Sequence, residues 1–168
     1  NAADRTRAQR MVYQEYLKRQ YCAPNSLEMH FHYYGLFSTC KTLCLKNRGK
    51  LVGTVSVIVD SPAGLPFGTL FPDALEEFRE MGKTVAEVGL LALDCGHYRK
   101  GSYSLQSFSK MRDLFELFRS VITYANKVSD VSDLVILVHP RHENLYRYIG
   151  FQSIGPVRDY EGAEGNAA

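Results

Sequence analysis

Apolar residues recur along this chain in two rhythms, one of three and four and one of two, and their alternation sets out the fold. Over about residues 4–20, Ala8, Met11, Val12 and Tyr16 share one stripe while basic residues fill the remainder, an amphipathic helix that Pro24-Asn25-Ser26 brings to a close. Residues 27–37 (LEMHFHYYGLF) are aromatic-rich and keep neither period. Thr39–Lys46 and Leu51–Asp60 then flank Asn47-Arg48-Gly49-Lys50, a turn with its glycine placed for positive φ, and predict a hairpin. The second strand, LVGTVSVIVD, is β-branched and almost wholly apolar, which calls for cover on both faces.

Residues 61–72 (SPAGLPFGTLFP) break both rhythms. Three prolines and two glycines argue against helix or central strand, yet Leu65, Phe67, Leu70 and Phe71 are apolar. A short helix over about 72–81 follows, with Pro72 near its first turn and Gly82 past its end. Residues 84–94 (TVAEVGLLALD) read as a buried strand. Residues 104–128 read as a long amphipathic helix on Leu105, Phe108, Met111, Phe115, Phe118, Ile122 and Ala125. Leu134–His139 reads as a strand, Arg141–Tyr148 as a short helix stopped by Gly150, and Phe151–Val157 as a last strand. The alternation predicts an α/β fold, a mixed β-sheet flanked by helices, in a single domain over residues 1–168.

Composition narrows the class. With 168 residues, 45% hydrophobic and 23% charged, the chain can bury a core without staples, and disordered, collagen-like and disulfide-dense classes are excluded. No apolar run approaches the ~20 residues of a transmembrane helix. The start, Asn1-Ala2-Ala3-Asp4, lacks an initiator Met and suggests processing or trimming, and no secretory signal follows it. Cys22, Cys40, Cys44 and Cys95 form no C-x-x-C and suit reduced thiols in a cytoplasmic protein.

A net charge of +2 is too mild to argue for nucleic acid. The charge is patterned, however. Residues 1–20 carry Arg5, Arg7, Arg10, Lys18 and Arg19 against two acids, and residues 97–112 carry Arg99, Lys100, Lys110 and Arg112 against none. Such patches read either as solvated faces or as docking surfaces for an anionic partner.

Glu87 is the most informative residue. Alternation puts Val85, Gly89, Leu91 and Leu93 on its face of an otherwise greasy strand. A carboxylate there is costly unless it is partnered or faces a cavity. Two readings stand: a satisfied structural acid, or a general base whose pKa burial lifts towards neutrality. Gly89 leaves room beside it for a ligand or marks a β-bulge. The segment HPRHENLYRYIGF (139–151) gathers His139, Arg141 and His142 at a strand end, where α/β sheets bind ligands, with Tyr146 on the helix beyond. It also reads as an ordinary strand–helix–strand connection. No G-x-S-x-G, Walker A or G-x-G-x-x-G is present, and His30-x-His32 is a weak metal signal; no metal site is expected.

DSPAGLPFGTLFP, AEVGLLALD and VHPRHENLYRYIGF stand in the order found in long-chain N-acyl amino acid synthases, which the chain resembles over about residues 8–157. Those proteins have the GCN5-related N-acetyltransferase fold and are akin to acyl-homoserine-lactone synthases. The resemblance implies transfer of a fatty acyl group from acyl carrier protein to the α-amine of an amino acid, with acyl-phosphopantetheine as donor and no permanently bound cofactor. By position, Glu87 matches the family's general base and Tyr146 the tyrosine that protonates the departing thiolate.

Many relatives follow the Glu with a small residue and then an Arg, where this chain has Val88-Gly89-Leu90. The loop HYRKGSYS lacks the R-x-x-G-x-G/A pyrophosphate cradle, which disfavours CoA as donor. On this reading a backbone N–H at Gly89 or Leu90, freed by a bulge, receives the oxyanion. Leu65, Phe67, Leu70 and Phe71 wall an acyl pocket or lid the core. His32 and Tyr33 face the amino acid, with tyrosine favoured, and Arg141 pairs with its carboxylate. Arg99 and Lys100 meet the carrier protein or its phosphopantetheine. The alternatives are an acyl-homoserine-lactone-type synthase, an acetyl-CoA-dependent acetyltransferase and a non-catalytic lipid-binding module of the same fold.

Overall fold

The structure is a computed structural model and describes residues 2–98, 103–127, 131–159 and 166–167. Helix α1 (Ala2–Leu17) turns Ala8, Val12 and Tyr13 inward, and with them Glu15. A 3-10 turn at Tyr33–Leu36 occupies the aromatic stretch. Strands β1 (Cys40–Asn47) and β2 (Lys50–Val59) form the expected hairpin. Its two turn residues, Arg48 and Gly49, both hold positive φ (49° and 79°), the twist that matches a tight antiparallel connection.

The segment expected to be irregular contains a helix, α2 (Pro66–Leu70), directly followed by α3 (Pro72–Glu80). Pro66 and Pro72 sit in the first turn of each, where a missing N–H costs nothing, so the prolines start helices here instead of preventing them. Strand β3 (Thr84–Leu93) follows, then α4 (Tyr103–Lys127), β4 (Val131–Val135), a 3-10 turn at Pro140–His142 and α5 (Glu143–Ile149).

The four-stranded sheet has the order β1-β2-β3-β4, with β1, β2 and β3 antiparallel and β4 parallel to β3. One face packs Val55, Val57, Ala86, Val88 and Leu93 against Leu114, Leu117, Phe118 and Val121 of α4. The other packs Ile58 and Val85 against Leu65, Phe67, Phe71 and Leu75 of the α2–α3 segment.

Three expectations are corrected. Strand β4 begins at Val131 and ends at Val135; polar Ser132 and Asp133 disguise it, and they are held by Thr84 of β3 and by Lys83 just before it. Residues 151–157 form no strand, and the last pairing is between short β5 (Arg158–Asp159) and β6 (Asn166–Ala167). On α4 the buried face is Leu114, Leu117, Phe118, Val121 and Ala125, whereas Leu105 and Phe108 are 64% and 72% exposed. The helix carries two apolar stripes at helical spacing, and only contact with the sheet decides between them.

Candidate active site

β3 and β4 pair from Thr84↔Val131 to Glu87↔Val135, and there the pairing stops. β3 runs on to Leu93 without β4, so the two strands separate immediately beyond Glu87. In the same stretch β3 bulges. Ser56 pairs with Gly89 and Thr54 with Ala92, two steps on β2 against three on β3. The extra residue is Leu90, held at φ +52°, a conformation an L side chain rarely adopts. The bulge resets the alternation: Leu91 and Leu93 pack on the α4 face, not on the face of Glu87 as simple period-two counting predicts. Gly89 stays on the Glu87 face, and a Cβ built on it would meet nothing within 4 Å.

The Glu87 side chain is only 4% exposed. Its Oε2 accepts a 2.6 Å hydrogen bond from the backbone N–H of Phe67, in the first turn of α2, which has no side-chain cap of its own. Among the described residues no cation pairs with it. Burial therefore dominates, and although the Phe67 amide partly opposes it, the carboxyl is pushed up to about 7. Phe67 also lines an adjoining apolar cleft of about 570 Å³, so one residue joins the acid to that cleft.

The cleft is walled by Phe71 and Phe78 on one side and by Phe118, Ile122, Tyr146 and Phe151 on the other. Phe71 stacks on Phe67 at 5.4 Å, and Gly155 lies so close that a Cβ there would stand 2.7 Å from the Phe71 ring. Tyr146 packs edge-on against Phe118 and Phe151 at 6.0 and 6.1 Å. Burial, with a smaller contribution from Tyr21, pushes its hydroxyl up to about 12. Leu65, buried in the core, and half-buried Leu70 line neither this cleft nor the next.

On the Glu87 face of the sheet lies a second, polar cleft of about 1010 Å³ between α1 and β1. Arg5, His30, His32, Thr54, Ser56 and Leu90 are among its lining residues. Burial and neighbouring His30 lower His32 to about 4, so its imidazole is neutral. Tyr33 packs against Tyr34 and Phe37 and does not line the cleft.

Arg141 lines neither cleft. It stands past the end of β4, where its Nη2 donates to the hydroxyl of Tyr21 and its Nε donates to His142 Nε2 at 3.2 Å. Arg99 and Lys100 lie outside the described residues. Of the residues singled out from sequence, Glu87, Gly89 and Leu90 share the stretch where β3 leaves β4, whereas Phe67, Phe71 and Tyr146 line the apolar cleft, with Phe67 alone bonded to Glu87. Tyr21 and Arg5 were missed. Tyr21 meets Arg141 across 120 residues, which no local pattern signals; Arg5 belonged to a basic patch with nothing to distinguish it from Arg7 or Arg10.

α1 is tied to the far end of β3 as well. Glu15, 3% exposed, accepts from Lys18 Nζ at 2.7 Å, from Arg19 Nη1 at 2.8 Å and from the Cys95 amide at 3.4 Å. Burial raises this carboxyl, but the three donors outweigh it and hold it at about 2.

Comparison with known proteins places this geometry. The family described as N-acyl amino acid synthase FeeM matches residues 7–168. The solved structure of FeeM, an N-acyl amino acid synthase from uncultured soil microbes, superposes with a TM-score of 0.80 at 28% identity, covering 98% of this chain and 87% of that one. Escherichia coli ElaA matches at 12% identity and a TM-score of 0.46, over 92% of this chain and 86% of its own. A Trypanosoma brucei acetyltransferase matches at 17% identity and 0.39, over 74% and 70%. No curated protein matches the sequence.

Proposed function

The chain belongs to the N-acyl amino acid synthase family and is an N-acyltransferase, and we propose that it moves a long-chain fatty acyl group from the phosphopantetheine thioester of an acyl carrier protein to the α-amine of an amino acid, tyrosine first among them. The observation that carries this reading is the Glu87 carboxyl. It is buried, unpaired by any described cation, lifted to about 7, and placed where β3 and β4 part beside the open space at Gly89.

An amino acid presents its amine as an ammonium near neutral pH. Glu87, as carboxylate, takes a proton from that nitrogen, directly or through a water at Gly89. The nitrogen then forms a bond to the thioester carbonyl carbon. The negative charge on the carbonyl oxygen is met by a backbone N–H at the Gly89–Leu90 bulge, on the edge of β3 that β4 has left. The C–S bond breaks, and the thiolate takes the hydroxyl proton of Tyr146, which its raised pKa keeps in place until then. As the C–S bond breaks, the nitrogen gives up its second proton to solvent; the proton held by Glu87 returns through solvent to Tyr146, and the cycle closes without a metal or a permanently bound cofactor.

The 570 Å³ cleft, within the range of small-ligand pockets and joined to Glu87 through Phe67, takes the acyl chain. The polar cleft takes the acceptor, with neutral His32 as a hydrogen-bonding group and Arg5 as the cation nearest in kind to a carboxylate partner. On this reading the reaction takes place in the cytoplasm.

Incubation with a panel of acyl carrier protein thioesters and all twenty amino acids, read by mass spectrometry, tests this reading. It predicts an N-acyl amino acid, tyrosine strongest, with stoichiometric release of the carrier thiol. Efficient turnover from acyl-CoA, or product only with S-adenosylmethionine, would replace the donor or the acceptor respectively.

A further inference from the structure

The open end of the gap between β3 and β4 carries a cluster of basic and aromatic side chains from three separate parts of the chain. Arg141, His139 and His142 come from the turn after β4. Arg19 and Tyr21 come from the turn just past α1, and Lys110 from α4. The ring of Tyr21 stacks on His139 at 6.2 Å, the Arg141 guanidinium lies 5.4 Å over it, and His139 and His142 stand 6.4 Å apart. The hydroxyl of Tyr21 is also 3.5 Å from His142 Nε2. Among the described residues no carboxylate pairs with Arg141. The nearest acid in sequence, Glu143, turns away to Ser153 at 3.0 Å, and Arg19 spends its charge on Glu15. Burial and then the surrounding positive charges of Arg141, His139, Arg19 and Lys110 lower His142, which keeps it a neutral hydrogen-bonding partner.

We infer that this cluster is an oxyanion site that holds the phosphate of the donor's phosphopantetheine arm, with Arg141 as its principal ligand and Tyr21 as the residue that aims it. The inference rests on the acyl-carrier-protein reading above. It departs from an assignment of Arg141 to the acceptor carboxylate, and reach decides between them. An amino acid's carboxylate is two bonds from the amine, so it stays beside Glu87 when the amine does. The cluster adjoins Arg19, whose Nη2 donates to Cys95 Sγ at 3.2 Å, and Cys95 lies past the end of extended β3, roughly 20 Å along the strand from Glu87. The phosphate of the arm, by contrast, stands at the opposite end from the thioester sulfur. An arm lying along the gap, its sulfur by Tyr146 and Gly89, brings the phosphate out at Arg141. A planar guanidinium stacked on a tyrosine is well suited to a phosphate, which it meets with two parallel N–H donors.

Calorimetry with pantetheine 4′-phosphate and with pantetheine, neither acylated, reads this site without any turnover. The wild type binds the phosphorylated form roughly ten- to a hundredfold more tightly. Arg141→Gln reduces that preference to near parity, Arg141→Lys restores part of it, and Tyr21→Phe lowers it without abolishing it. Thermal melts of each variant report whether it is folded.

A parallel kinetic arm compares acyl-phosphopantetheine with acyl-pantetheine as donors. Arg141→Gln removes the preference there too and leaves the amino acid KM within about twofold. Equal binding of the two pantetheines by the wild type overturns the inference, as does a variant that keeps the phosphate preference while raising the amino acid KM. Phosphate-dependent binding with no acyl transfer from either donor would instead sink the reaction assigned above and leave the anion site standing.

Discussion

Replacing Glu87 by Gln separates the base from the fold, because the two consequences run in opposite directions. Gln keeps the shape and an oxygen for the Phe67 amide but cannot take a proton. Acyl transfer should fall by about 10²–10⁴-fold, the usual contribution of a positioned base. Stability should rise. The carboxyl moves from 4.5 in the unfolded chain to about 7 in the folded one, so the folded state holds its proton more tightly between those values. The stability supplied by the protonated form is complete below pH 4.5 and is lost as pH climbs through 7. The loss amounts to about 3 kcal/mol at pH 8.

Glu87→Gln does not suffer that loss. Relative to wild type it should gain up to about 3 kcal/mol at pH 8, or ~6–12 °C in Tm for a domain of this size, less about 1 kcal/mol for the weaker hydrogen bond to Phe67. At pH 4.5 the two should melt within a degree or two of each other. Calorimetric melts at pH 4.5, 6, 7 and 8 beside single-turnover rates supply both readouts. Wild-type turnover in the variant, or a Tm difference that does not grow with pH, would refute the assignment of a buried, unpaired base.

Other substitutions probe the remaining parts. Tyr146→Phe should lower kcat by about 10²-fold with little change in Tm, since the hydroxyl is held by packing against Phe118 and Phe151; an unchanged kcat removes it as the acid. Gly155→Ala should push the Phe71 ring into the apolar cleft and shift the product profile towards shorter acyl chains in a mixed-donor competition read by mass spectrometry; an unaltered profile would place the chain elsewhere. Glu15→Gln should destabilise the protein, because the acid holds Arg19 and the Cys95 amide in place. Its carboxyl is depressed to about 2, so the destabilisation is full above pH 4.5 and fades as pH falls towards 2, which acid-side denaturation curves will show.

Parts of this molecule are legible in the sequence alone. Asn47-Arg48-Gly49-Lys50 announces the hairpin, and Pro72 with Gly82 brackets α3, because those signals are local and steric. Glu87 beside Gly89 marks an acid in a greasy strand next to missing volume, and the strand indeed bulges there. What stayed hidden was non-local. The bulge at Leu90 inverts the faces of every residue after it, which period-two counting cannot anticipate. α4 has two apolar stripes, and the sheet chooses the one that Leu114, Leu117 and Val121 form. Pro66 looked like a helix breaker until it was seen to occupy a first turn. Tyr21 and Arg141 meet only because α1 and the end of β4 converge at the mouth of one gap.

The central claim is that Glu87 is a base of near-neutral strength held out of water where β3 and β4 separate. Carbon-13 NMR of the glutamate side-chain carboxyls, with Glu87→Gln used to assign the resonance, measures its titration directly. The account predicts a midpoint at about pH 7 for that one carboxyl. A midpoint near the ordinary 4.5 would mean that the carboxylate is solvated or ion-paired, and the mechanism built on it would fall.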